Sequence, residues 1–296
     1  MSNTLKGILL ASFAGFCWGS MGVAAQYLFT HCGFSPQDLV SIRLMGAGAL
    51  LLVFECLVSR KPLLAPLLHD FRNLRDILIY GATLVTCQLT YFLSIEAANA
   101  GLASLMVGFV PLFVIFWIAA RARRPVRAKE IGCLFLAMGG VALLVTKGDF
   151  TSLNFSVLGV FWGIVSAALV AVGTLQPAAA IKRTDVCFTT GWAMFLGGAL
   201  DLFFSSPFSS GAVWTLDAFA AYAYVVLFGT VFAFGCYLRS TAFVPASVSS
   251  LLTSIEPLTA VILTVLLLGV PFSLPEAAGA AMVIANMILL SLKGKR

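Results

Sequence analysis

Charged residues are scarce in this sequence: Asp, Glu, Lys and Arg together make up 10% of its 296 residues. Soluble proteins carry about 25% charged residues and about half apolar ones, whereas 60% of this chain is hydrophobic. A surface with so few charged groups is poorly hydrated, while lipid accommodates apolar side chains well. The composition therefore excludes a soluble globular enzyme and predicts an integral membrane protein.

The common motifs of soluble enzymes and metal proteins are missing as well. The chain has no H-E-x-x-H sequence and no glycine-rich phosphate loop, and its two histidines, His31 and His69, lie in predicted loops. Its seven cysteines are scattered without a C-x-x-C pair, which favours small packing residues over disulfides or a metal site. We predict no catalytic residue, no bound metal and no cofactor.

Long apolar runs occupy most of the chain instead. A membrane-spanning helix needs about 20 mostly apolar residues, and the breaks between runs predict ten such helices. The predicted spans are 5–29, 36–58, 74–96, 99–120, 128–146, 156–181, 185–206, 216–239, 244–268 and 274–292. The connections are short, so the sequence predicts an all-α integral membrane fold without a separate soluble domain.

The positive charges predict the orientation. If the N-terminus is cytoplasmic, 16 of the 18 Lys and Arg residues fall on the cytoplasmic side, Lys147 falls outside and Arg43 falls within a span. This asymmetry follows the positive-inside rule and places both termini in the cytoplasm. The basic run Arg121–Arg127 could also contact anionic lipid or nucleic acid. The topological interpretation is favoured, so no nucleic acid is predicted as a partner.

The sequence also repeats itself. Residues 91–146 align with 237–292 without a gap, and 11 of these 56 positions are identical, including Tyr91/Tyr237 and Pro111/Pro257. Composition alone would give about five matches. We therefore predict two repeats, 1–149 and 150–296. Each repeat holds five spans, an odd number, so the second must be inverted, as is typical of secondary transporters. A duplication retained in a receptor or enzyme is the alternative.

Four short segments resemble one family of membrane transporters. They are C-W-G-S at Cys17–Ser20, S-I-R-L at Ser41–Leu44, I-E-P-L-T-A at Ile255–Ala260 and L-L-L-G at Leu266–Gly269. With the ten spans and the inverted duplication, they resemble the EamA family of the drug/metabolite transporter (DMT) superfamily along essentially the whole chain. Amino-acid exporters of the YddG type resemble this chain, and carriers of choline and other metabolites share the fold, so the resemblance does not fix the substrate. Where the family often has a glutamate, this chain has Arg124 and Val270, and the role of that carboxylate is not carried over.

Two ionisable residues lie deep inside predicted spans, where charge is costly. Glu256 directly precedes Pro257, whose missing N–H is expected to kink the helix and free the carbonyl of Thr253. Its carboxylate is a candidate for binding a substrate ammonium or a coupling proton. A protonated glutamate between packed helices is the alternative. Arg43 either binds a substrate carboxylate in a bidentate pair or pairs with an acid and fixes helix packing.

Polar and aromatic residues predict a central cavity. Tyr80, Gln88 and Tyr91 share one face of span 74–96, and this face is expected to look into the bundle because lipid solvates such groups poorly. Two tryptophans also lie inside spans, away from the interfacial belts where tryptophan is common. The residues expected to line the cavity are Trp18, Arg43, Tyr80, Gln88, Tyr91, Trp162, Tyr237 and Glu256.

Small residues recur at helical spacing in spans 5–29 and 156–181, which predicts close helix–helix approach. A sliding or rocking seam between the repeats is compatible with this interpretation. The prolines of spans 99–120 and 244–268 are expected to act as hinges. The packing and hinge candidates are Gly15, Gly19, Gly22, Pro111, Gly163, Gly173 and Pro257.

These patterns favour a secondary transporter that exports amino acids across a prokaryotic inner membrane by alternating access. The expected partners are a small-molecule substrate, the lipid bilayer and protons as a coupling ion. A carrier of quaternary amines or drug-like compounds is the first alternative. An intramembrane enzyme, a channel and a structural membrane protein are alternatives from other classes.

Overall fold

A computed structural model describes residues 2–59, 70–121, 123, 125, 128–146, 156–207, 211–244, 248–249, 252–253 and 255–291 of the chain. Within these residues every regular element is helical. The α-helices are α1 (Asn3–His31), α2 (Pro36–Ser59), α3 (Phe71–Ala97), α4 (Ala100–Val107), α5 (Val110–Arg121), α6 (Ala128–Thr146), α7 (Val157–Leu175), α8 (Ala178–Arg183), α9 (Val186–Asp201), α10 (Leu216–Val226), α11 (Ala233–Ser240), α12 (Ile255–Leu268) and α13 (Leu274–Ser291). A π-helical segment, Leu227–Phe232, joins α10 to α11.

Helices lie over each of the ten predicted spans, wholly or in part. Six helical stretches within the described residues are long and apolar enough to cross a membrane: Asn3–His31, Pro36–Leu57, Phe71–Ala97, Ala100–Arg121, Val157–Arg183 and Leu216–Tyr237. The shorter apolar helices include Ile131–Leu144 and Ile255–Leu268. The all-helical membrane fold is thereby confirmed, while the count of ten crossings and the cytoplasmic termini stay predictions.

Capping side chains fix where several helices begin. Asn99 Oδ1 accepts from the Leu102 backbone N–H at 2.9 Å at the start of α4, and Ser156 Oγ accepts from Gly159 N–H at 2.9 Å at the start of α7. The first turn of a helix leaves its N–H groups without internal partners, and an Asn or Ser side chain satisfies one of them. The sequence therefore determines these helix starts locally.

One predicted span is divided in the structure. Span 99–120 forms α4 and α5, which are separated at Gly108 and Phe109. In span 244–268, Thr253 lies in a turn before α12 begins at Ile255, and residues 245–247, 250–251 and 254 lie outside the described residues. Pro111 and Pro257 lie in the first turn of α5 and α12, where the missing proline N–H costs little.

Helix packing follows the duplication. The two repeats meet where α2 packs on α9 and α6 packs on α13. Helix α3 packs on α7, as α1 packs on α11, and α4 packs on α7, as α1 packs on α12. For these helices, exchanging the two halves of the chain turns each packed pair into another packed pair. This arrangement brings half-helices from both repeats to the centre of the bundle.

Candidate functional site

A cavity of about 340 Å³ lies between α1, α2, α3, α4, α7, α11 and α12, which belong to both halves of the chain. Its volume lies within the range of small-molecule sites. The structure brings seven of the eight predicted cavity residues to this space. They are Trp18, Arg43, Tyr80, Gln88, Tyr91, Tyr237 and Glu256.

Trp162 is the predicted residue that does not reach the cavity lining. Helix α7 meets the cavity from Ser166 to Thr174, so Trp162 lies one turn beyond its end, beside Phe161 with ring centroids 5.0 Å apart. Trp162 and Ser166 are four residues apart and therefore share one face of α7. The depth was wrong, because the packing of α7 against its neighbours sets where along the helix the cavity begins.

Arg43 is buried, with 1% of its surface exposed. Its Nε donates to Thr230 Oγ1 at 3.0 Å, and its Nη1 donates to Gln88 Oε1 at 3.4 Å. The guanidinium carbon lies 5.4 Å from the centroid of the Phe92 ring, a cation–π contact. No carboxylate of the described residues forms an ion pair with Arg43. Among the described residues, Arg43 therefore does not have the acidic partner that the alternative interpretation expected.

The π-helical segment presents Thr230 to Arg43. Thr230 Oγ1 donates to the carbonyl of Val225, five residues earlier, at 3.1 Å while it accepts from Arg43. Such π segments often occur at functional sites. Thr230 was not among the predicted site residues, although a threonine inside an otherwise apolar span is a signal that could have identified it.

Glu256 lies in the first turn of α12, where a carboxylate is favoured by the helix dipole. Its backbone N–H donates to the carbonyl of Thr253 at 2.9 Å. The prediction that Pro257 leaves this carbonyl free is therefore wrong, because a tighter turn supplies the missing donor. The carboxylate itself makes no hydrogen bond or ion pair with the described residues, so it faces the cavity as an available acceptor.

Glycines let α1 approach the backbone around Glu256. A Cβ atom at Gly15 would lie 3.2 Å from Thr253 Cα, and one at Gly19 would overlap the carbonyl of Glu256 and lie 2.8 Å from Thr259 Cβ. Small residues permit such close packing in membranes. These two glycines therefore fix the position of the carboxylate-bearing turn.

The other predicted small residues divide into two groups. Cβ atoms at Gly22 and Gly163 would lie 2.8 Å from Tyr91 Oη and 2.6 Å from Met106 Cβ, so both glycines are at close contacts. At Gly173 a Cβ would lie 3.6 Å from Thr83 Cγ2, an ordinary contact. Close packing therefore does not require Gly173, which lines the cavity instead.

Aromatic rings form the apolar wall of the cavity. The Trp18 ring lies 5.4 Å from Phe234 and 5.6 Å from Tyr237, measured between centroids. The hydroxyls of Tyr91 and Ser104 are hydrogen-bonded at 2.9 Å. This wall can hold an apolar side chain, while Arg43 and Glu256 supply opposite charges. Within the described residues, no three His, Cys, Asp or Glu side chains cluster as metal ligands.

Comparison with known proteins gives a consistent result. The model of the EamA-like transporter family matches this chain twice, at residues 5–146 and 157–292. A protein named uncharacterized inner membrane transporter YicL, from Salmonella typhimurium, is 32% identical over 100% of this chain and 98% of its own length. The uncharacterized inner membrane transporter YedA of Escherichia coli is 23% identical over 97% of this chain and 90% of its own.

More distant similarities extend the comparison. A chloroplastic WAT1-related protein of Arabidopsis thaliana is 26% identical over 96% of this chain and 68% of its own length. One crystal structure matches with a TM-score of 0.63 at 16% identity, covering 97% of this chain and 96% of that one. At this identity the structural similarity shows the fold alone.

Proposed function

Since the chain belongs to the EamA-like transporter family, we propose that it moves amino acids with apolar side chains across the inner membrane by alternating access. Its family and the names of its relatives identify a multi-pass inner membrane transporter rather than an enzyme. The substrate class and the transport mechanism are proposals. The placement of Arg43 and Glu256 on one cavity carries the proposal.

A zwitterion satisfies both charges of this cavity at once. Arg43 uses Nε and Nη1 on Thr230 and Gln88, and a guanidinium has five N–H donors. Its remaining donors can bind a substrate carboxylate. The Glu256 carboxylate can bind the substrate ammonium. Because a buried charge without a partner is costly, one amino acid that neutralises both groups is favoured over a ligand with a single charge.

The aromatic residues of the cavity favour a substrate with an apolar side chain. Trp18, Phe234 and Tyr237 form an apolar surface within the cavity, and burial of apolar area contributes about 25 cal/mol per Å². A large apolar or aromatic side chain gains most from this surface. An amine or drug-like cation, the first alternative, would satisfy Glu256 and leave the guanidinium of Arg43 without an anion.

Alternating access is supported by the divided span and by the packing symmetry. Discontinuous helices at the midplane are typical of transporter binding sites, and here span 99–120 is divided into α4 and α5, two residues before Pro111. Several packed helix pairs are related by exchange of the halves, which supports a mechanism in which each half takes the conformation of the other. Opposite membrane orientation of the two halves then opens the cavity to alternate sides.

Coupling to protons would also depend on Glu256. It is the one acid among the described residues that line the cavity. A carboxylate that binds either a proton or the substrate ammonium, but never both, exchanges one for the other across the membrane. We propose that Glu256 performs this exchange.

Counterflow in proteoliposomes tests the proposal. Proteoliposomes that contain the purified chain and are preloaded with unlabelled L-phenylalanine should accumulate radiolabelled L-phenylalanine transiently. The rate of this uptake should saturate with substrate concentration. Neutral L-amino acids should compete better than phenethylamine or 3-phenylpropionate, each of which has only one of the two charges. Absence of counterflow for every amino acid, together with saturable flux of a quaternary amine, would favour the alternative carrier.

A further inference from the structure

A second, smaller cavity of about 180 Å³ lies among the ends of α4, α6, α7, α12 and α13. We call it the outer pocket, because the positive-inside count predicts that these helix ends face away from the cytoplasm. Helices α4 and α12 line both cavities: α12 contributes Glu256 to the central cavity and Thr264 to the outer pocket. The two spaces therefore follow one another along the same pair of helices.

Thr264 is the residue that indicates a ligand in the outer pocket. Its side chain is 2% exposed, and its Oγ1 is buried without a hydrogen-bond partner among the described residues. Most buried hydroxyls in folded proteins are hydrogen-bonded, because an unsatisfied one is destabilising. A polar ligand in this pocket would supply the missing partner.

The charges around the outer pocket match a zwitterion. Helices α4 and α7 both begin at this pocket, capped by Asn99 and Ser156. The N-terminal ends of their dipoles favour an anion. Glu276 also lines the pocket. Its Oε2 accepts a hydrogen bond from the backbone N–H of Ser273 at 2.7 Å, which holds the side chain in place. The pocket therefore places a carboxylate and two helix N-termini, groups of opposite polarity, around one space.

A close contact between α4 and α12 forms part of the lining of the outer pocket. A Cβ at Gly101 would lie 3.2 Å from Val261 Cγ2, and both residues line the outer pocket. Glu256 and Thr264 are eight residues apart, so they lie about 12 Å apart along the axis of α12. The two cavities therefore lie at different depths along the same helix.

We infer that the outer pocket is a second substrate subsite, which binds the ammonium and carboxylate groups of an amino acid at the outer end of the transport path. The inference rests on the proposed function, since it takes the same zwitterion as the ligand. It adds a binding site, built from Thr264, Glu276 and two helix ends, at a different depth along α12 from Glu256. The substrate would occupy the two sites in succession.

Equilibrium binding to the full chain in lipid nanodiscs tests the inference, with radiolabelled L-phenylalanine as the probe. The wild type should bind two equivalents. Thr264→Val keeps the size of the side chain and removes the hydroxyl, so it should weaken one of the two sites by about tenfold, the effect of one lost hydrogen bond. Glu276→Gln should weaken the same site, whereas Glu256→Gln should weaken the other.

Matched controls separate a local effect from a general one. Thr264→Ser keeps the hydroxyl and should retain both sites. Thr86→Val removes an exposed threonine hydroxyl that bonds the Ala82 carbonyl, and it should also retain both. Thermal unfolding of each variant confirms that it is folded.

Two results would overturn the inference, and they differ in what they say about the proposed function. A single equivalent that is weakened by Glu256→Gln and unaffected by Thr264→Val would remove the outer subsite and leave the central one. No binding of any amino acid to the wild type would overturn both.

Discussion

Arg43 and Glu256 line one cavity from opposite halves of the chain, and neither forms an ion pair with a described residue. Tyr91 lines the same cavity, and its hydroxyl is hydrogen-bonded to that of Ser104 at 2.9 Å. Two isolated charges of opposite sign in an otherwise apolar cavity are a poor arrangement for stability alone. They are well suited to a ligand that carries both complementary charges.

Glu256→Gln is predicted to impair exchange. The amide keeps the shape of the side chain and removes its negative charge, so it should lower L-phenylalanine counterflow by about tenfold for each 1.4 kcal/mol of lost binding. Accumulation driven by a pH gradient should disappear. Glu96→Gln, at the exposed end of α3, serves as the matched control and should transport normally.

The same measurements distinguish the roles of Glu256. Normal exchange with loss of gradient-driven accumulation would assign Glu256 to the proton and not to the substrate amine. Normal values for both would make it a packing residue beside Pro257.

Arg43→Gln is predicted to change which ligands compete. It should weaken L-phenylalanine and 3-phenylpropionate, both of which carry a carboxylate, and leave phenethylamine unchanged. Glu256→Gln should show the reverse pattern for the two single-charge analogues. Competition against radiolabelled L-phenylalanine measures both, and equal weakening of all three ligands by Arg43→Gln would indicate a structural role through Thr230.

The two tryptophans are predicted to differ. Trp18 lines the cavity and Trp162 does not, so Trp18→Leu should weaken L-phenylalanine binding by about threefold to tenfold, as expected for one aromatic contact. Trp162→Leu should leave the affinity unchanged. Equilibrium binding in nanodiscs measures both variants, and an equal loss of affinity would place Trp162 at the site as well.

Gly19→Ala is predicted to destabilise the protein. The added methyl would meet the carbonyl of Glu256 and Thr259 Cβ, and such overpacking costs about 1–3 kcal/mol. Gly132→Ala is the matched control, since a Cβ there meets no atom of the described residues within 4 Å. Thermal unfolding in detergent should show a lower midpoint for Gly19→Ala alone. Equal midpoints would mean that α1 and α12 can separate at little cost.

The inverted orientation is predicted to appear in cysteine labelling. Single cysteines at Arg75 and Lys182 should react with a membrane-impermeant reagent from the cytoplasmic side, and cysteines at Ser35 and Leu274 from the other side. These positions sample both halves of the chain. Labelling of positions 75 and 182 from opposite sides would contradict the inverted repeat, because both must be cytoplasmic.

The sequence by itself determined the class of fold and the set of helices. Apolar runs of membrane-spanning length, turn residues and caps such as Asn99 and Ser156 act locally, so helices lie where the runs predict them. The duplicated segment also predicted hinges at Pro111 and Pro257, which lie in the first turns of α5 and α12. Composition alone excluded the soluble classes.

Only the tertiary structure decided which polar groups meet. Trp18 and Trp162 are both tryptophans inside predicted spans next to small residues. Their depth relative to the cavity depends on the register in which α1 and α7 pack against their neighbours. The hydrogen bond of Arg43 to Thr230 depends on the π-helical segment, which places Thr230 next to Arg43 although the two residues are 187 positions apart in the sequence. Helical periodicity specifies a face, whereas depth and register come from packing between helices far apart in the chain, and that non-local packing assembled the cavity.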